Sequence, residues 1–529
     1  MHMLETELKI AIETKDDPIS LAIRKYRIHP ADILSASISH RSLDARAGRP
    51  AVFSYQIRFE LNQEEKYLHR IRNARRVVPF QYRVPSFGTR MLSHRPVIIG
   101  FGPCGMAAGL LLARCGYRPL ILERGPKMED RKKAVDHYWT TGELDPDRNV
   151  QFGEGGAGAF SDGKLTTRVK DPRAALILEE LIKAGADPSI AWLSHPHIGT
   201  DVFREIDVRI RKEIESLGGE VRFMTRFADF HEEHGRLRAV ITDQGEEIPC
   251  EVLILAIGHS ARDTFELLER KQVVLSPKRF AVGFRIEHLQ SFINARQYRN
   301  IEDYSSLPAA EYFLSHTSSL KKGVYSFCMC PGGYVVASAS SPDTAVTNGM
   351  SYHARSGTNA NSALLIQIDE SDYGTSLFSG MHFQQRLESA AFVLGKGKAP
   401  AQTAENYLHL SSVNEPTEVL PTYPLGVTMC DLHELLSEPL NRSLEEMLFH
   451  TETIFPGFTK GGAILTGVES RSSSPIRIER NSTSLQSSVE GIYPAGEGAG
   501  YAGGIVSSAI DGIRSAEKIL EEYQPFNRG

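Results

Sequence analysis

Short, wholly apolar runs alternate in the middle of this chain with amphipathic stretches of helical period, which predicts parallel strands covered by helices. The run Pro-Val-Ile-Ile over 96–99 leads into an Ala/Leu-rich helical segment and then a second apolar strand over 119–122. The first 90 residues read differently. A strand in LKIAI and helical patches over 19–26 and 31–34 precede the alternating strings ASISHRSLDAR and VFSYQIRFEL, the pattern of an antiparallel sheet. Residues 70–87 are basic and proline-punctuated, and read as a linker or strap. Helices are predicted over 173–184 and 202–217. From 220 to 258, EVRFMTRFADF, RLRAVITD and EVLILAIG are separated by turns at His234-Gly235 and Gln244-Gly245, and predict a meander whose last strand is buried. Residues 262–490 mix alternating strands with Gly/Pro turns and one helical patch over 378–392. Another apolar run and a helix over 504–523 close the chain.

The fold class is therefore α/β plus α+β. A small N-terminal α+β domain spans 1–90. A Rossmann-like domain with a parallel sheet and a β-meander is split between 91–262 and 491–529, and a mainly antiparallel sheet domain, 263–490, is inserted into it. At 529 residues, 41% hydrophobic and 24% charged, the chain is an ordinary globular sequence long enough for several cores. No apolar run approaches membrane-span length, and the acidic N-terminus lacks an export pattern. Six cysteines without a CxxC argue against a disulfide scaffold or a zinc site, and His195-Pro-His197 lacks the acidic or cysteine company a metal needs. A cytoplasmic protein with reduced thiols, no metal and no membrane partner is expected. Charge is uneven: residues 21–95 hold 15 Lys and Arg against 5 Asp and Glu, a net of +10 in a chain of net −5.

The densest chemical signal is Gly100-x-Gly102-x-x-Gly105 between the first apolar strand and its helix, with Glu123 at the end of the second strand. Gly100 permits the tight turn, Gly102 lets backbone approach a pyrophosphate, and Gly105 lets the helix pack close so that its N-terminus faces the anion. Glu123 suits a ribose diol. The segment 149–165 carries five glycines, too many for a helix interior, and forms a loop where backbone approaches a ligand closely.

Taken together, the fingerprint, LILAIG and YPAGEGAG resemble the two-dinucleotide-binding-domain flavoprotein superfamily, in which one FAD domain is assembled from separated segments. The strings NVQFGEGGAGAFSDGKLTTR, AVGFRIEH, SFCMCPGGYVV, NGMSYHAR, ESRSSSPIRI and GEGAGYAGGI are similar to a family of FAD-dependent dehydrogenases of bacteria and plastids, defined by sequence and not by a reaction. The resemblance implies FAD as cofactor. Gly100, Gly102, Pro103, Cys104 and Gly105 would meet the pyrophosphate, with Glu123 and Arg124 at the adenosine ribose and Phe227 near the adenine. Ala256 and Gly258 would pass beneath the nucleotide, Gly496 and Glu497 would hold the ribityl chain and phosphates, and Gly503, Gly504 and Ile505 would begin the helix aimed at the flavin N1–O2 edge. Glu497 departs from the usual Asp. The glycine loop would wrap the ring or pyrophosphate with Gly155, Gly156, Ala157, Gly158 and Ser161, bringing Lys164 near flavin or substrate.

Candidate catalytic groups are Lys164, His259 and the pair Cys328 and Cys330, whose thiols share one face if the strand is regular. Arg285, Arg355, Arg471 and Arg477 are candidates for a carboxylate or phosphate substrate. No second fingerprint follows a strand, so reductant must come from transient NAD(P)H, a protein electron donor or the substrate itself. The expected activity is an FAD-dependent oxidoreductase passing hydride between a small molecule and flavin N5. Two alternatives share the flavin: an enzyme acting on tRNA or another nucleic acid, suggested by the basic N-terminal module, and a non-enzymatic sensor or scaffold.

Overall fold

A computed structural model describes residues 3–45, 50–167, 169–299, 301–409 and 418–525. The N-terminal segment comprises β1 (Met3–Ala11), α1 (Pro18–Tyr26), β2 (Ile33–Asp44), β3 (Val52–Leu61), α2 (Glu64–Arg70) and β4 (Arg75–Val77). Helix α1 starts where the Asp17 carboxylate accepts the Ser20 N–H beside Pro18, and it ends at Arg27 in the left-handed region. The sheet order is β2-β3-β1-β4, all antiparallel, and Leu4, Leu8, Ile57 and Phe59 form its core with Tyr67 of α2. Two expectations need correcting. The helical patch over 31–34 is only a single 3₁₀ turn, Pro30–Asp32, because the alternating residues that follow are claimed by β2. The linker over 70–87 is partly structured: its start closes α2 and β4, and its end lies along the C-terminal helix Ile505–Glu522. There the Gly88 N–H donates to Leu520 and the Tyr82 hydroxyl to Glu517. Several of the basic side chains are engaged locally: Arg58 and Arg75 clasp buried Glu5, Arg76 reaches Glu64 and Glu65, and Lys66 pairs with Asp32.

The chain continues through β5 (Val97–Ile99), α3 (Pro103–Arg114), β6 (Leu120–Leu122), α4 (Met128–Thr141), α5 (Arg173–Lys183), α6 (Thr200–Ser216), β7 (Glu220–Arg222), β8 (Phe227–Glu233), β9 (Arg236–Thr242), β10 (Glu247–Pro249), β11 (Leu253–Leu255) and α7 (Arg262–Arg270). A five-stranded parallel sheet runs in the order Ile492–Pro494, β11, β5, β6, β7. Ile98, Ile121 and Ile254 face α3, α6 and the C-terminal helix, whereas Val97, Leu120 and Leu253 face β8, β9 and α7. Each such buried aliphatic contributes about 1.5–3 kcal/mol. The string EVRFMTRFADF does not form one meander strand. Met224 adopts φ +53° and turns the chain, so β7 joins the parallel sheet while β8, β9 and β10 form the meander.

A seven-stranded sheet follows in the order Ser315–Thr317, Gly323–Cys330, Asn359–Ile368, Phe280–Leu289, Ile464–Glu469, Ala399–Thr403, Val427–Met429. All pairs are antiparallel except the last. The helices Ser379–Leu394 and Glu438–Ile454 pack on it. Among the described residues, no helix is long and apolar enough to cross a membrane.

Candidate functional site

A cleft of about 740 Å³ lies between the carboxyl ends of β5, β6 and β11 and the seven-stranded sheet. At its floor Gly100 takes φ +97°, and a Cβ there would stand 2.3 Å from the Ala256 carbonyl oxygen. A Cβ on Gly105 would lie 2.0 Å from the Gly100 oxygen, so this glycine seats α3 against the turn and does not line the cleft. Gly102, Pro103 and Cys104 do line it. No side chain caps α3, and its first-turn N–H groups are left for a ligand.

Glu123 reaches the same floor, but its carboxylate already accepts three backbone N–H groups: Phe101 at 2.8 Å, Gly125 at 2.9 Å and Gly153 at 2.8 Å. It ties the fingerprint turn to the glycine loop. Arg124 lines the cleft with its guanidinium spent on Asp147 and Asp263, stacked over Phe152. Phe227, Ala256, Gly258, Glu497, Gly503, Gly504 and Ile505 also line the cavity. Gly496 does not, because it packs against Cys104, where its Cβ would come within 2.9 Å.

The glycine loop enters opposite α3. Gly156, Ala157, Gly158, Ser161 and Lys164 line the cleft, while Gly155 turns its back on it and packs on Asp207. Sequence reading missed the residue that shapes this loop. Arg131, wholly buried on α4, donates to the carbonyls of Asn149, Val150, Glu154 and Gly156. It sits in a charged helix with no motif to mark it. Lys164 donates to the Met329 carbonyl and stands 3.5 Å from Glu311. Burial disfavours its charge, but the Glu311 and Asp162 carboxylates outweigh burial and hold its pKa above the ordinary lysine value. Lys164 is thus a fixed cation at neutral pH, suited to holding negative charge and unsuited to proton shuttling.

The cysteine pair departs from a regular strand. A bulge falls between Phe327 and Cys330, and Cys328 takes φ +45°. Only Cys328 lines the cleft, and Cys330 is fully buried behind it with its sulfur 4.0 Å away. The Cys330 thiol bonding to its sulfur, with Arg285 and Lys164 nearby, holds the Cys328 thiol below the usual range despite burial. Burial pushes the thiols of Cys104, Cys115, Cys250 and Cys430 up. Iodoacetamide at pH 7 is therefore expected to alkylate Cys328 first, about tenfold faster than any other cysteine. Peptide mapping by mass spectrometry reads this out, and labelling led by Cys115 or Cys430 would contradict it.

Of the four arginines expected at substrate, Arg471 alone lines the cleft, with Nη1 3.1 Å from Ser260 Oγ and two hydrogen bonds to Glu388. Arg285 is wholly buried and spent on Glu469, Asn361 and the Cys328 carbonyl. Arg355 bridges Asp162 and Glu311. Arg477 lies outside the cavity, over the Tyr501 ring. Carboxylates hold Arg285 and Arg355, and an aromatic ring lies under Arg477, whose buried Nε has no hydrogen-bond partner among the described residues. His259 lines the cleft with Nδ1 3.4 Å from Glu497, and its buried Nε2 has no hydrogen-bond partner. Asp162 of the glycine segment, His195 and Glu311 also line the Lys164 end, and of these Glu311 stands in no recognisable string.

A family model described as "FAD-dependent protein, C-terminal domain-like" matches residues 279–472, a span that contains the whole seven-stranded sheet. A protein of Clostridium beijerinckii, described as uncharacterized, is 44% identical over 508 residues, covering 94% of this chain and 95% of its own length. The chain belongs to this FAD-dependent protein family. FAD is accordingly the cofactor of this flavoprotein. A shorter similarity, 30% identity over 172 residues, links 32% of the flavoprotein to 38% of the menaquinone reductase of Mycolicibacterium smegmatis. The solved glycine oxidase of Bacillus cereus aligns with 81% of this chain and 95% of its own, at 12% identity and a TM-score of 0.30.

The cleft fits the cofactor on its own geometry. Open space surrounds the Cβ positions of Gly258 and Gly503, and His259 Nε2 and Arg226 Nε are buried there without partners. Two uncapped helix N-termini, those of α3 and of the C-terminal helix, reach the same cavity.

Proposed function

We propose that this flavoprotein is an oxidoreductase that passes hydride between a small molecule and FAD, with the cofactor in the split unit formed by 91–262 and 491–529 and the substrate against the inserted sheet, 263–490. One observation carries the reading: the fingerprint turn and the chemistry-bearing groups Lys164, His259, Cys328 and Arg471 line a single cavity. Bound FAD would supply a two-electron acceptor and donor at its ring. Gly102 and Gly158 would meet the pyrophosphate, with Gly100 and Gly156, whose N–H groups are spent on the Leu122 and Gly153 carbonyls, allowing the close approach, and Arg226 and Phe227 would take the adenine. The C-terminal helix would place its positive end toward the ring through Gly504 and Ile505. Glu123 would take the ribose only through an oxygen it already shares with backbone.

At the other end Lys164 and Arg471 would hold an anionic or carbonyl-bearing substrate. His259, the cleft imidazole with an unpartnered nitrogen, would hold or release the proton that accompanies hydride. Reductant would be transient NAD(P)H, a protein electron donor or the substrate itself.

The test is an anaerobic screen of metabolites and nicotinamides for bleaching or reoxidation of the flavin band. A productive ligand should lose about 10²-fold in kcat with His259→Gln, and mainly raise KM with Arg471→Met. Flavin that no donor reduces would overturn the reading.

A further inference from the structure

A second cavity, of about 570 Å³, lies behind the glycine turn. Leu110 of α3, Leu176 of α5, Phe203 of α6 and Ile513 of the C-terminal helix form its walls. Phe80 and Val84 of the N-terminal strap, 40% and 46% exposed, stand at its mouth. The cations around the rim are already matched: Arg114 pairs with Glu180 and Glu213, and Lys183 with Glu180. An anionic ligand would find no free counterion among them.

Among the polar side chains that line this cavity, Asp207 stands apart. Asp207 is wholly buried, and neither of its carboxylate oxygens has a hydrogen-bond partner among the described residues. Its polar neighbours are engaged elsewhere. Arg131 serves four carbonyls, Arg204 donates to the Ala159 carbonyl, and Glu154 accepts from Arg211 and the Met128 N–H. Burial, reinforced by the Glu154 carboxylate and only partly opposed by Arg131 and Arg204, pushes the Asp207 carboxyl well above the usual range. This favours the protonated form, which has an O–H to donate. Buried donors are rarely left unpaired, and an apolar chamber of this size ending on one donor has the composition of a ligand site. Pro103 and Ile505 line both cavities, and Gly158 sits between them, its Cβ position 3.4 Å from Ile505 and 3.5 Å from Pro103.

We propose that this chamber binds an elongated, uncharged, apolar molecule bearing one acceptor oxygen, a carbonyl or hydroxyl, which Asp207 engages while the chain runs toward Phe80 and Val84. The inference stands independently of the redox reading.

The probe is 2-undecanone, titrated calorimetrically into the purified holoprotein, with sodium undecanoate as the charged counterpart. The ketone should bind with an unchanged flavin spectrum, and undecanoate about tenfold more weakly, since the rim offers it no counterion. Asp207→Leu should weaken the ketone about tenfold, whereas Asp207→Asn, which keeps an N–H donor, should stay within about threefold. Ile177, another residue of the chamber wall, provides a steric test: Ile177→Trp should block the chamber. No ketone binding by the wild type, equal binding by Asp207→Leu, or release of flavin by the ketone would each overturn the proposal; the last would place the ketone in the cleft instead.

Discussion

Substituting valine for Gly156 should leave the purified protein nearly colourless, with flavin content reduced about tenfold or more. Two effects combine at this position. Gly156 takes φ +58°, where a β-branched side chain costs about 1–3 kcal/mol. Its Cβ would also stand 3.0 Å from Gly102 Cα, closing the gap across which the glycine loop and the fingerprint turn face each other. Gly142 provides the control. It takes φ +81° at the end of α4 with nothing within 4 Å of a Cβ, so Gly142→Val carries comparable backbone strain with no steric intrusion. The ratio of flavin to protein absorbance separates the two: loss in both variants means general destabilisation, and full occupancy in Gly156→Val removes this turn from the cofactor site.

The second large effect concerns stability. Glu388, fully buried in the helix Ser379–Leu394, accepts hydrogen bonds from Arg262 of the α7 segment and from Arg471 of the cleft, at 2.9–3.0 Å. Glu388→Gln keeps the shape but leaves two guanidinium groups without a buried counter-charge, a loss of about 3–5 kcal/mol by denaturant unfolding at pH 7. The pH dependence has a definite sign. Burial raises the Glu388 pKa, but the two arginines more than reverse this and bring it to about 2, below the ordinary glutamate range. A carboxyl depressed in the folded state confers its full stabilisation above its unfolded pKa and loses it as pH falls through the folded value. The wild-type advantage over Glu388→Gln should therefore be constant above about pH 5 and shrink between there and pH 2. A gap that widened on acidification would show that the pair is not ionised as drawn.

The fold's parallel half was legible because its signals are local. The strands Val97–Ile99 and Leu120–Leu122 are too short for any periodicity, yet glycines and a helix-length segment flank them in an order that few structures share. The meander was misassigned at its start because nothing in EVRFMTRFADF marks Met224 as a left-handed turn, a conformation tertiary packing imposes and propensity does not. In the site, glycines whose role is backbone approach could be found from spacing. Which of them face the cavity and which pack behind it, as Gly105, Gly155 and Gly496 do, depends on neighbours far away in sequence. The arginines show the limit most clearly. Arg285, Arg355, Arg471 and Arg477 are alike as sequence, and only the positions of Glu469, Asp162, Glu311 and Glu388 decide that one of the four reaches the cleft.

The edge strand Ile492–Pro494 has a temporal consequence. It pairs with Leu253–Leu255, and the C-terminal helix packs on α3, so the parallel-sheet side of the cleft joins segments far apart in the chain. The seven-stranded sheet needs only residues between 280 and 469 and can close while synthesis is still under way. The parallel sheet cannot gain the strand Ile492–Pro494 until that segment leaves the ribosome. Truncated translation products should therefore hold a finished sheet domain beside an open, apolar half-core, the species a chaperone would meet first.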